Sequence, residues 1–207
     1  MPGVFDLSEQ HGDVDSKLTA GLERLAQALR VMLWDEAKRE GLSPIQVQIL
    51  VHLKYHAAEE RRVGALAAHF DLTKPTVSDA VKALDTKGLI QRTADPRDAR
   101  ASVLTLSETG KAVAQRAEQW AEPARDTLAH LDTDAKQDTL LLVMSLIEKL
   151  QEAGVITVAR MCLTCRFLET NPRAAAPYYC GLLERPLREP DLRIDCPEHE
   201  GSPEVVA

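Results

Sequence analysis

The chain has 207 residues, with 25 Lys+Arg against 32 Asp+Glu and a formal net charge of −7. At 44% apolar and 28% charged residues it has the composition of an ordinary soluble protein, one medium domain or a domain with an appendage, and neither a collagen-like nor a disordered one. The longest apolar stretch, residues 140–147 with Ser145 inside it, falls far short of the roughly 18 residues a membrane span requires. The acidic start MPGVFDLSEQHGDVDS lacks the basic and apolar regions of a signal peptide, so a cytoplasmic location and no membrane partner are expected.

The negative total argues against a nucleic-acid partner until it is divided along the chain. Residues 44–112 hold 10 basic and 8 acidic residues, whereas 1–43, 113–161 and 162–207 each hold 5 and 8. The one basic segment is internal.

A flexible N-terminus is expected over 1–14. From Lys17 to Ala37, Leu18, Leu22, Leu25, Leu29 and Met32 recur at spacings of 4 and 3, the apolar seam of a long amphipathic helix. Ser43-Pro44 opens a second helix to about His56, burying Ile45, Ile49 and Leu53. After the polar stretch AEERR, residues 63–70 form about two helical turns. Asp71-Leu72-Thr73 breaks them, and a further helix starts with Thr73 as N-cap and ends at Gly88. Val77, Val81 and Leu84 face inward; Lys74, Thr76, Ser78, Asp79 and Lys82 make a polar outer face. Two helices joined by a tight turn form a helix-turn-helix.

Two strands, near Leu89–Thr93 and Ala101–Leu106, flank a hairpin tip at 95–100 and make a wing. Ser107 caps a long helix to about Leu131, and Asp132 opens another bearing Leu140, Val143, Ile147 and Leu150. The fold class is mainly α with a small β-wing. The domains are a dimerisation helix at 15–43, a winged helix-turn-helix at 44–112, dimerisation helices at 113–161 and a four-cysteine tail at 162–207. The tail holds 6 of the 11 prolines, which exclude long helices and leave it needing another source of order.

The run VGALAAHFDLTKPTVSDAVKALDTKGLIQRTADPRDARASVLTLSETGKAV resembles the winged helix-turn-helix of the MarR family of transcriptional regulators. The resemblance rests on Thr76-x-Ser78, on Lys87-Gly-Leu-Ile90, and on the D-P-R-D-x-R wing followed by L-T-L-S-E-x-G; in helix order it covers about residues 17–154. It implies a triangular homodimer on a pseudo-palindromic double-stranded DNA operator, with a recognition helix in each of two successive major grooves. Lys74, Thr76, Ser78 and Lys82 are then placed for phosphates and base edges. Arg100 matches the wing arginine that enters the minor groove, Asp98 steadies it, and Arg97 is a backbone or second groove contact. Asp79 stands where many members carry arginine; it either accepts from a cytosine amino group or repels phosphate. The family also often binds phenolic or other small effectors, for which Trp34, Tyr55 and Phe70 are candidates, although core packing is the simpler role of these rings.

Cys162, Cys165, Cys180 and Cys196 all lie in the tail, spaced C-x2-C-x14-C-x15-C. In a reducing compartment such a cluster reads as a metal or redox site before a disulfide framework. An iron–sulfur cluster uses all four and ranks first. Zn2+ is the alternative, with His199 as a substitute ligand in Cys196-x2-His199, and thiol switching without metal comes third. The expected function is a DNA-binding regulator that responds to redox or metal state. Alternatives are a small-molecule-responsive regulator with a structural zinc clasp, a winged helix used only for protein contacts, and a redox enzyme built on the tail. No G-x-S-x-G, P-loop, G-x-G-x-x-G or H-E-x-x-H is present, so no enzyme is expected. His52 and His56, four apart on a helix, have metal-binding spacing but no carboxylate at a matching position, and read as surface or core residues.

Overall fold

A computed structural model of the chain describes residues 3–7, 12–95, 98–171 and 176–202, with the backbone alone for 95 and 98–101. The expected flexible N-terminus thus lies partly outside the described residues. Helix α1 spans Val14–Arg39 and starts where Asp13 accepts from the Ser16 amide at 2.8 Å. Helix α2, Pro44–Tyr55, has proline in its first turn, and the Gln46 side chain accepts from the Ser43 amide at 3.0 Å. Helices α3, Val63–His69, and α4, Lys74–Thr86, enclose the turn Asp71-Leu72-Thr73. Asp71 sits there at φ +49°, a left-handed conformation that its short polar side chain tolerates.

Strands β1, Ile90–Asp95, and β2, Asp98–Leu106, pair antiparallel from Ile90↔Leu106 to Asp95↔Asp98, with a register shift at Ala94/Asp95. The ladder therefore runs further toward the tip than the expected break at 95–100. The base of the wing is joined by three glycine and serine contacts. Gly88, at φ +67°, follows the end of α4, and its carbonyl accepts from Ser107 Oγ at 2.6 Å. Ser107 in turn caps α5, Glu108–Ala117, by accepting from the Gly110 amide at 3.0 Å. A Cβ at Gly110 would stand 1.8 Å from the Leu89 carbonyl oxygen. The S-E-x-G run is thus a steric requirement as well as a cap.

The continuous helix expected from Ser107 to Leu131 is broken. Glu118–Ala121 is a 3₁₀ turn, and α6, Glu122–Ala129, begins with Pro123 in its first turn. Proline lacks the N–H that an unbroken helix needs at that point. Helix α7, Thr133–Glu152, follows the cap Asp132, which accepts from the Asp134 and Ala135 amides.

The main core joins α2, α3, α4, the wing and α5 through Ile49, Leu50, Leu66, Val77, Val81, Leu84 and Leu104, all fully buried. Leu33 and Ala37 bring the end of α1 onto Val47 and Ala117. Elsewhere on the α1 seam Leu18, Leu22 and Leu25 are exposed, as are Val143 and Leu150 of α7. The face of α7 that packs within the chain is centred on Met144, a residue outside the expected seam.

Met144 meets the tail. With Leu140, Leu141 and Ile147 it packs on Met161, Cys162, Leu187 and Leu192. The tail holds a three-stranded antiparallel sheet of β3, Leu168–Thr170, β4, Tyr178–Cys180, and β5, Arg185–Leu187. Apolar burial on α7 and short strands thus supply order that proline-rich sequence could not take from helices. Trp34 and Tyr55, read as core rings, are exposed; Phe70 does pack on the main core.

Candidate nucleic-acid interface and four-cysteine centre

Helix α4 presents a polar face because its apolar residues fall at spacings of 4 and 3 and turn the other side outward. Val77, Val81 and Leu84 are fully buried, whereas Lys74, Thr76, Ser78, Asp79 and Lys82 are all exposed. Thr73 Oγ1 accepts from the Thr76 amide at 3.3 Å and lies 2.8 Å from Thr76 Oγ1. Thr76 therefore helps cap the helix as well as lying on its exposed face. At the other end Lys87 donates to Gly41 O at 2.5 Å and Arg92 lies 3.5 Å from Asp85, tying α4 to the α1–α2 turn and to the wing. Arg97 lies outside the described residues, and so do the side chains of Asp98 and Arg100, whose backbones belong to β2.

All four cysteines line one small pocket, together with Phe167, Leu168, Leu182, Leu183, Leu187 and Glu198. They are free thiols. Two similar turns bring the ends of the tail together. Cys165 N donates to Cys162 O at 3.0 Å, and His199 N donates to Cys196 O at 3.1 Å. Cys162 N donates to Arg193 O at 3.0 Å and Cys196 N to Arg160 O at 2.7 Å, so each turn hangs on the other's flank. Cys180 arrives from β4, paired with Leu168 and Arg185.

Arg193 was not singled out from the sequence, yet it serves the sulfurs twice. Its amide donates to Cys162 Sγ at 3.2 Å and its guanidinium to Cys196 Sγ at 3.5 Å. Burial pushes the Cys162 thiol up. His199 turns away from the pocket, with Nε2 3.0 Å from Thr164 Oγ1 and 3.2 Å from Thr164 O. Burial holds its pKa below the usual histidine value.

The tail and the segment that leads into it are attached to the helix-turn-helix at three points. Asp71, in the turn before α4, accepts from the Thr157 amide at 2.7 Å. Glu60 pairs with Arg160, which also donates to Cys196 O at 2.9 Å. His56 Nε2 stands 2.7 Å from Asp195 Oδ2. No sequence signal marks these pairs, since each joins residues about a hundred positions apart.

Three helices packed on one core, the last of them polar and exposed, with a two-stranded hairpin behind it, define a winged helix-turn-helix protein. Residues 40–101 match the family model described as MarR family. Over that winged helix-turn-helix segment the chain is similar to the family. A stretch of 95 residues, 46% of this chain, is 26% identical to the HTH-type transcriptional repressor MdtR of Bacillus subtilis (strain 168) and spans 60% of that protein. Among solved structures, the S. aureus MepR–DNA complex gives a TM-score of 0.57 at 17% identity, covering 64% of this chain and 97% of that one. The transcriptional repressor CouR, bound to a 23-mer DNA duplex, gives 0.53 at 23% identity, covering 72% and 99%. A MarR transcriptional regulator from Methanosarcina mazei Go1 gives 0.53 at 17%, covering 67% and 96%. At such identities these structures establish the fold. The family match ends at residue 101, so the four-cysteine segment lies beyond it. Among the described residues, no helix is long and apolar enough to cross a membrane.

Proposed function

We propose that the chain is a transcriptional regulator that binds a pseudo-palindromic DNA operator as a homodimer and responds to the state of its four-cysteine centre. The observation that carries the DNA reading is the division of α4. Its apolar residues are fully buried, and five short polar or charged residues stand clear on the other side, led by Lys74 at the helix start. The family resemblance adds the wing arginines Arg97 and Arg100 as further DNA contacts, and two copies present two such surfaces to one duplex. The exposed Leu18, Leu22 and Leu25 of α1 and Val143 and Leu150 of α7 supply apolar area for a second copy. The printed functions of MdtR and CouR, both repressors, support the same reading. The test is binding to promoter fragments at several salt concentrations. Arg100→Glu abolishes specific binding if the reading holds; unchanged binding overturns it in favour of a protein-contact winged helix.

For the tail, an iron–sulfur cluster is favoured over zinc. A tetrahedral zinc ion at about 2.3 Å from each sulfur brings thiolates to ~3.8 Å of one another. Among the described residues, no three of these sulfurs fall within 4.8 Å; they ring an apolar pocket instead, with N–H donors from Arg193. A cluster separates its thiolates more widely and is tuned by such donors. Because Thr157, in the segment leading into the tail, holds Asp71 in the turn before α4, a change in tail packing has a short route to α4. Anaerobically purified protein should be coloured and contain iron and sulfide; a colourless sample with one equivalent of zinc establishes a structural clasp instead.

A further inference from the structure

We propose that His52, His56 and Glu60 form a second site, separate from the cysteines, for a divalent transition-metal ion of the zinc type. One ring nitrogen of each histidine and one carboxylate oxygen of Glu60 lie within 4.8 Å of one another, the one such group of three among the described residues. The two imidazoles stack with centroids 3.6 Å apart and planes within 5° of parallel, so an ion at about 2.0–2.2 Å from nitrogen and oxygen ligands is reached when one ring turns out of that stack to aim its lone pair at the shared point. The spacing of His52 and His56 lacked a carboxylate in sequence terms. The 3₁₀ turn Ala58–Glu60 supplies it by folding back on the end of α2.

His52 is 4% exposed, and among the described residues its Nδ1 has no hydrogen-bond partner. Its Nε2 stands 3.3 Å from Glu60 O. With the ring proton on Nε2 donated to that carbonyl, Nδ1 keeps a buried lone pair that nothing among the described residues satisfies, a cost that a bound ion would relieve. His56 Nδ1 donates to His52 O at 3.0 Å, the backbone brace that orients a metal-bound imidazole and leaves Nε2 as the ligand. That Nε2 faces Asp195 Oδ2 at 2.7 Å and Glu60 Oε2 at 4.0 Å.

Arg160 pairs with the other oxygen of Glu60, Oε1, and so braces the carboxylate without occupying Oε2. Asp195 is positioned as a fourth ligand, and the His69 ring, 4.5 Å from that of His52, closes one side. Two imidazoles with one or two carboxylates suit zinc, cobalt or nickel and not magnesium or calcium. Binding displaces the proton that His56 Nε2 shares with Asp195, releasing it to solvent.

Cobalt distinguishes this site from the tail, because thiolate ligands give near-ultraviolet charge-transfer absorption and imidazole or carboxylate ligands do not. Co2+ titrated into the full-length protein should fill one equivalent with visible d–d bands and no accompanying thiolate charge transfer. The same titration should broaden or shift the imidazole proton resonances of His52 and His56. Glu60→Gln and His56→Asn should each weaken that equivalent by about tenfold or more while leaving any thiolate-bound metal in place. Cobalt uptake seen only through thiolate charge transfer, or histidine resonances untouched by the ion in the unmutated protein, overturns the proposal.

Discussion

The imidazole of His56, at the end of α2, stands 2.7 Å from the carboxylate of Asp195, the residue before Cys196 and 139 positions further along the chain. Asp195 is also 3.9 Å from Arg160, which pairs with Glu60. One carboxylate thus joins the flank of the cysteine centre to α2, which packs with α4 in the main core. If tail state reaches DNA through this contact, Asp195→Asn makes the operator affinities of oxidised and reduced protein converge. Fluorescence anisotropy on both forms reads it, and an undiminished difference places the coupling elsewhere.

The histidine cluster makes the protein sensitive to acid. Burial, with smaller contributions from His56 and His69, lowers the His52 pKa from 6.5 to about 3, and burial lowers that of His69 as well. Glu60 and Asp195 face the group as acids and Arg160 as a base. Below 6.5 the unfolded chain takes up a proton that folded His52 does not, so stability is full above that pH and falls as pH drops toward 3. The slope for this ring is about 1.4 kcal/mol per pH unit at most. Urea unfolding in chelator-containing buffer between pH 8 and 5 checks it: a midpoint that does not fall below pH 6.5 contradicts the buried, neutral ring.

Gly110 tolerates no side chain. A Cβ there meets the Leu89 carbonyl oxygen at 1.8 Å, and the backbone of both residues is held by the Ser107 cap. Gly110→Ala, a change that favours helix by intrinsic propensity, should nevertheless destabilise by about 1–3 kcal/mol through overpacking. Chemical denaturation decides between the two effects by the sign of the shift.

On the recognition face, Lys74 and Asp79 should act in opposite directions. Lys74→Ala is expected to weaken binding about equally on operator and unrelated DNA and to reduce the salt slope by about 1. Asp79→Ala should raise affinity for unrelated DNA if the carboxylate only repels phosphate, and should lose discrimination at one base pair if it reads a cytosine. Binding to a set of single-base operator variants distinguishes these outcomes.

Leu22 is 43% exposed on α1, between Leu18 and Leu25 on the same face. Leu22→Glu should shift the protein from dimer to monomer, read by light scattering on a sizing column. A dimer that survives the change at micromolar concentration assigns the interface to α7 and not to α1.

Helices α1 to α4, the wing and its approximate bounds were legible because their signals are local. Caps at Ser43, Thr73 and Ser107, apolar spacings of 3 and 4, and turn residues at Gly88 act over a few positions. The polar face of α4 followed from the same arithmetic, since whatever is not buried with Val77, Val81 and Leu84 must face outward. Pro123 was equally visible, but its cost to a helix was overlooked behind the cap at Ser107. Contacts across the chain were not legible. The packing of Met144 on Met161, the hold of Arg193 on two sulfurs, and the meeting of His56 with Glu60 and Asp195 depend on where the tail comes to rest. Side-chain chemistry and spacing therefore settled which elements form and which thiols belong to one group. The docking of the tail on α7 and α2, driven by apolar burial between distant segments, settled what surrounds those thiols and which histidines acquire carboxylate neighbours.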